Sequence, residues 1–253
     1  MFPLLSNRLL YLKHRENDVS TLFILEAPFD NEIKKDCPCV GCTGISMSKA
    51  LFGSKIEIPL GDILNGIEEC IPNNAENYAV FDTFKFPIDP IVADKLGVSL
   101  NDLWSRENFQ WDKIKELDGS TGCTLKKQKE ETGFYDRAYH YKTLIQYIQN
   151  VDSKVLKKFI NDYKVELNQA ISTFKNLKYI VVCGFIAQSI LCFAYKLPFC
   201  IMPYRKDCIV SNKRKILRFV EHPINAHKRN NNPLWCYTAK NGSLFTLNTN
   251  IKC

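Results

Sequence analysis

The sequence predicts an α/β chain: a three-layer α/β/α sandwich with a mainly parallel central sheet of about four strands, plus a C-terminal β-hairpin. Two observations lead there. Short runs rich in Val, Ile, Phe and Leu alternate with helical stretches and end on turn or polar residues, as strands do when crossover helices cover both faces of a parallel sheet. The chain also has 253 residues, 45% of them hydrophobic, enough to fill one core and make 1–253 a single domain.

The elements follow in order. Thr21 to Glu26 and Tyr78 to Asp82 are short apolar runs and read as buried strands, with a helical stretch from Ser48 to Phe52 between them. Val155 to Phe174 has apolar residues at a period of roughly 3.6 and reads as a long helix. Tyr179 to Cys183 is a strand, Gly184 a turn, and Ala187 to Tyr195 the helix that follows. Phe199 to Met202 and Ile216 to Val220 are the last strand-like runs.

Two segments break this alternation. The stretch from about Asn108 to Tyr141 is polar and aromatic, with a Lys126-Lys127-Gln128-Lys129 run, and is too long for a routine connection, so it is expected to be an insertion over the site. From Leu234 to Leu247, within about 234–250, two β-prone runs flank Lys240-Asn241-Gly242, which predicts a hairpin.

Composition narrows the class. No apolar run approaches the roughly 18 residues of a membrane span, and Met1 to Leu5 lacks the charge and apolar length of a signal peptide. A soluble, intracellular protein, cytoplasmic and without membrane partners, is expected. The 11 cysteines are scattered through apolar segments, as at Cys183, Cys192 and Cys200, which suits reduced, buried thiols better than disulfides. Cys37, Cys39 and Cys42 lie close enough to suggest a structural zinc with Cys70, but paired Cys-x-x-Cys knuckles are missing, so no metal and no cofactor are expected.

Charge is concentrated. Between Arg205 and Arg229 eight basic residues, Lys213 and Arg214 among them, oppose Asp207 and Glu221, giving +6 of the chain's +7. Such a run is either a solvated face or a surface for a polyanion. It ends in one of two short polar segments that each follow an apolar run, Glu26-Ala27-Pro28-Phe29-Asp30 and Glu221-His222-Pro223-Ile224-Asn225-Ala226. In an open α/β sheet, loops leaving the carboxyl ends of strands share one crevice. A carboxylate and a histidine would then face one substrate.

In this order the segments resemble the uracil-DNA glycosylase superfamily. Leu25-Glu26-Ala27-Pro28, Glu32 and the loop Pro38-Cys39-Val40-Gly41-Cys42-Thr43-Gly44 are similar to the first motif and glycine loop of its thermophile-type branch. Tyr78 to Asp82 looks like the strand ending in the base-reading residue, Val181 to Ala187 like the strand-glycine-helix step, and His222-Pro223 like the closing motif. The likeness covers roughly residues 20 to 90 and 178 to 230, and rests on the order of five weak pieces. No cysteine precedes Cys37, so the branch's iron-sulfur cluster is not expected.

The resemblance implies a monomeric enzyme that acts on double-stranded DNA by breaking an N-glycosidic bond. Such a reaction passes through an oxocarbenium-like sugar while negative charge grows on the departing base. Glu26 or Asp30 would support water attack, and His222 would hold the base carbonyl oxygen. Ala27, Phe29, Cys39 and Asp82 would line the base pocket. Asn225, His227, Lys228 and Arg229 would enter or hold the duplex, aided by Lys213 and Arg214.

The departures bear on the substrate. Uracil-specific members carry Asn where this chain has Asp82, and an ionised Asp only accepts, which suits the amino group of cytosine; a match to N3 as well requires a protonated Asp82, a protonated base or a water, and Asp82 could equally be a helix N-cap. Cys39 replaces a stacking Phe and leaves room for a bulky base, with Phe29 either stacking in its place or joining the core. Together these suit a modified cytosine of foreign DNA, hence antiviral defence. Repair of uracil or another deaminated base, a catalytically silent DNA-binding member, and a nucleotide-binding enzyme are the competing readings, the last lacking any Gly-x-Gly-x-x-Gly or phosphate-loop motif.

Overall fold

The computed structural model describes residues 4–66, 71–88, 90–97, 154–195, 207–210, 215–220 and 222–223. The expected insertion, the C-terminal hairpin and the strand at Phe199 to Met202 lie outside them.

Among the described residues, six strands form one sheet: β1 (Leu9–Tyr11), β2 (Thr21–Leu25), β3 (Tyr78–Asp82), β4 (Tyr179–Cys183), β5 (Asp207–Val210) and β6 (Lys215–Val220), in the order β1-β3-β2-β4-β6-β5. The central four, β3-β2-β4-β6, are all parallel, as expected. Beyond the expected four, β1 and β5 pair antiparallel at the two edges. Neither was legible: β1 has three half-buried residues, and β5 starts on Asp207 inside the basic stretch.

Alternation along the strands builds two cores. Leu22, Ile24, Phe81, Val182, Leu217 and Phe219 face one side, Phe23, Leu25, Val80, Val181 and Val220 the other. The helices are α1 (Asp30–Lys35), α2 (Cys42–Phe52), α3 (Leu60–Leu64), α4 (Pro90–Lys95), α5 (Lys154–Thr173) and α6 (Phe185–Ala194). α5 and α6 cover the first side; α2 and α3 supply Met47, Leu60 and Leu64 to the second. The result is a three-layer α/β/α sandwich.

The apolar stripe of α5 explains its docking. Phe159, Tyr163, Leu167, Ala170 and Phe174 recur at three- and four-residue steps and are all buried. Phe159 stacks on Phe84 at 4.9 Å, and Tyr163 meets Phe81 edge-on at 5.9 Å. Truncating such a ring to Ala costs about 3–5 kcal/mol.

One consequence of the layering positions the site. The chain leaves β2 for α2 and α3 on one side, whereas it leaves the adjacent β4 for α6 on the other. The crevice between β2 and β4 is therefore the topological switch point, where open α/β sheets bind ligands.

Candidate active site at the switch point

Glu26 is the first residue after β2 and sits in that crevice, only 6% exposed. Its Oε1 accepts a hydrogen bond from the amide of Ile186 at 3.3 Å, in the first turn of α6. The N-cap of α6 is Gly184, which has no side chain to cap with, so Glu26 caps the helix from a different strand. The helix N-terminus in turn favours the ionised carboxylate.

Gly184 makes this contact possible. Its φ is +92°, and a Cβ there would stand 2.3 Å from Glu26 Oε1. Glycine is required twice over, by the backbone conformation and by the carboxylate. The Gly184 amide and the Gln188 side chain both donate to the carbonyl of Val220, at 2.9 and 3.0 Å, which fixes the end of β6 against the start of α6. His222 follows two residues later and is half-buried. Its strand lies two places from β2, a separation of about 10 Å.

On the other flank of β2, Asp82 closes β3 opposite Leu25 and is 1% exposed. It does not cap a helix. Thr83 instead donates its amide and hydroxyl to the carbonyl of Leu25, at 2.9 and 2.6 Å, and Phe84 donates to the carbonyl of Glu26 at 3.1 Å. These bonds lock the β3 loop to the β2 loop. Asp82 Oδ2 is buried and has no hydrogen-bond partner among the described residues.

Its neighbour is a residue named in the sequence only as part of a motif. Glu32, in the first turn of α1, is 4% exposed, and its carboxylate accepts a hydrogen bond from the backbone amide of Phe29. Burial pushes Glu32 up to about 7 despite the Phe29 donor. Burial first, then the charge of Glu32, holds Asp82 well above the usual carboxylate range, against the pull of Arg8. Arg8 is already engaged, 3.0 Å from Glu166 and 2.8 Å from the carbonyl of Thr83.

The other expected residues divide. Asp30 opens α1 and turns to Lys34 at 3.2 Å on the helix surface, a hydrogen bond that lowers its pKa, so burial falls to Glu32 and not to Asp30. Phe29 is the half-buried N-cap of α1, and Ala27 packs at the edge of the α5–α6 core. Cys39 is fully buried with φ +62°, its Sγ 3.6 Å from Met47 Sδ, so its thiol belongs to the α2–α3 core. The loop around it is pinned by Gly44 and Gly61, where a Cβ would strike backbone at 1.9 and 2.1 Å.

The close cysteines go separate ways: Cys37 and Cys39 are buried, and Cys42 is exposed. No cluster of three metal-ligating side chains occurs among the described residues. Asn225, His227, Lys228, Arg229, Lys213 and Arg214 lie outside those residues. No described helix is long and apolar enough to cross a membrane.

The structure thus brings Glu26 to Gly184 and the α6 N-terminus, and Asp82 to Glu32, on adjacent strands with His222 farther along the same sheet edge. Comparison with protein-family models, curated proteins and solved structures gave no match.

Proposed function

We propose that the chain is a DNA glycosylase that hydrolyses the N-glycosidic bond of a flipped, modified cytosine and leaves an abasic site. The observation that carries this reading is the buried carboxylate of Glu26 at the switch point, held by the α6 N-terminus. An anion fixed in a crevice suits a reaction whose sugar becomes cationic, because it stabilises the transition state more than the neutral ground state. It also accepts the proton that water releases as its oxygen bonds to C1′.

His222 donates to the base carbonyl oxygen, where negative charge collects as the C1′–N1 electron pair leaves with the base. Its distance of two strands from Glu26 is a span that a nucleoside can bridge. Asp82, one strand to the other side, reads the base edge. Of the basic stretch from Arg205 to Arg229, Lys215 and Arg218 are buried against Leu177 and Tyr179, and the other six basic residues meet the phosphates of double-stranded DNA. Excision of ordinary cytosine would destroy the host genome, so a modified cytosine of foreign DNA is the substrate that fits, and defence the role.

The test is base release from matched duplexes containing uracil, cytosine, 5-hydroxymethylcytosine or its glucosylated form, scored by alkaline cleavage at the abasic site. Release of the modified cytosines alone supports the proposal. Preferential release of uracil returns the protein to repair, and no release from any duplex overturns the enzymatic reading.

A further inference from the structure

Resting on the base-release reading, we propose that Asp82 engages the flipped base as a neutral carboxylic acid, its O–H donating to a basic ring nitrogen and its C=O accepting from the adjacent exocyclic amine. The substrate class is then a base with an amidine edge, as cytosine has at N3 and N4, and Asp82 is a proton donor in the reaction as well as a reader.

Three observations lead here. The first is Oδ2 of a side chain that is 1% exposed, which has no hydrogen-bond partner among the described residues. A buried ionised oxygen without a donor is costly, and a neutral acid awaiting a ligand much less so. The second is Glu32. Two carboxyls in one buried site do not both ionise, and Glu32 has the Phe29 amide as a donor whereas Asp82 Oδ2 has none among the described residues, so Glu32 keeps the charge. The proton therefore resides on Asp82.

The third is the surroundings. Asp82 is faced by Glu32 from α1, by Arg8 from the segment before β1, and by the thiols of Cys37 and Cys39 from the loop after α1. Burial raises both thiols, so they stay neutral, Cys37 rising to about 12. Arg8 is committed to Glu166 and Thr83. Its remaining pull is outweighed by burial and by Glu32, and Asp82 stays high.

A neutral acid could also pair with the imide edge of uracil, but only a basic ring nitrogen can take the proton. The Asp82 proton passes to N3, the C1′–N1 bond breaks with its electron pair going to the base, and water bonds to C1′ while its proton passes to Glu26. The base leaves neutral, Glu26 returns its proton to solvent, and Asp82 regains one.

Single-turnover release from a 5-hydroxymethylcytosine duplex is measured against pH for the full chain and for Asp82→Asn and Glu32→Gln. Wild-type release is expected to fall as pH rises through the ionisation of Asp82, and Glu32→Gln to move that fall to lower pH by removing the neighbouring charge. Asp82→Asn keeps a donor and an acceptor but has no proton to give. It should lose the high-pH fall and release base about 100-fold more slowly.

A high-pH fall that persists unchanged in Asp82→Asn overturns the inference, as does release that rises with pH through the same window. Carbon-13 NMR of the labelled carboxyl groups, without DNA, separates the two levels. An ionised Asp82 at neutral pH sinks this inference and leaves base release standing. A neutral Asp82 with no release from any duplex sinks the base-release reading, and the inference with it.

Discussion

The two ends of the parallel sheet treat charge in opposite ways. At the amino end, a groove of about 350 Å³ is lined by Arg15, Asp18, Glu76 and Lys178. Arg15 reaches Asp18 at 2.9 Å and Glu76 at 3.9 Å, with more than half of its side chain exposed. At the carboxyl end, Glu26, Glu32 and Asp82 are 6%, 4% and 1% exposed. They are met chiefly by backbone amides, by a helix N-terminus and by one arginine already in use. Water solvates the first set at almost no cost, whereas burial of the second costs stability. A fold that carries three buried carboxyls at the carboxyl end of its sheet stores that cost where chemistry would use it.

The largest effects should come from the carboxyl end. Glu26→Gln keeps the shape and removes the charge, so base release should drop about 100-fold or more with DNA binding unchanged, as read by single-turnover kinetics and fluorescence anisotropy. His222→Ala should lose a similar factor, about 100-fold, through the missing donor at the base oxygen. Equal release by either variant and the wild type would remove that residue from the mechanism.

Next comes the glycine that admits Glu26. Gly184→Ala forces a Cβ to φ +92° and to 2.3 Å from the carboxylate, so unfolding in urea should show a loss of about 2–3 kcal/mol. A loss below about 0.5 kcal/mol would mean that Glu26 is free to move aside.

The pH dependence of stability is a subtler contrast between the ends. Glu32 titrates near 4.5 when unfolded and is raised to about 7 in the fold, so between these values the native state holds more protons than the unfolded state. Its contribution is complete below the lower value and is lost as pH rises through the higher one. Asp82 shifts in the same direction and extends the loss to higher pH. Urea midpoints should therefore decline from about pH 5 to about pH 8, and less steeply in Glu32→Gln. A midpoint that rises over this interval contradicts the burial argument.

The smallest effects belong to surface pairs. Arg15→Ala at the amino end and Asp30→Ala on α1 should each change stability by less than about 1 kcal/mol and leave base release intact. A large loss of release in Asp30→Ala would instead make Asp30 the water-activating group.

Why the sequence revealed some of this and not the rest follows from range. The central strands and α5 were legible because each carries a long apolar signal of its own, such as Tyr179 to Cys183 or the stripe from Phe159 to Phe174. Helix α2 begins at Cys42, six residues before the expected Ser48, because a Thr-Gly-Ile-Ser start has weak helical periodicity. Helices α1 and α3, with six and five residues, are too short to show a period at all. Glu26 and Asp82 could be picked out because each directly follows or closes an apolar run. Glu32 could not be assigned a role: what distinguishes it from Asp30 is that its carboxylate folds back on the Phe29 amide and is buried, and burial is a tertiary effect rather than a local signal. The one available signal was the Glu32 three residues after Phe29, the spacing of a capping box.

The buried carboxyls at the carboxyl end of the sheet, Glu26 foremost, are proposed to perform base excision. Mass spectrometry of the supernatant after incubating the full chain with a 5-hydroxymethylcytosine duplex tests it most directly. The account predicts free 5-hydroxymethylcytosine with the wild type and at least about 100-fold less with Glu26→Gln. Equal amounts of free base from both proteins, or none from either, would contradict it.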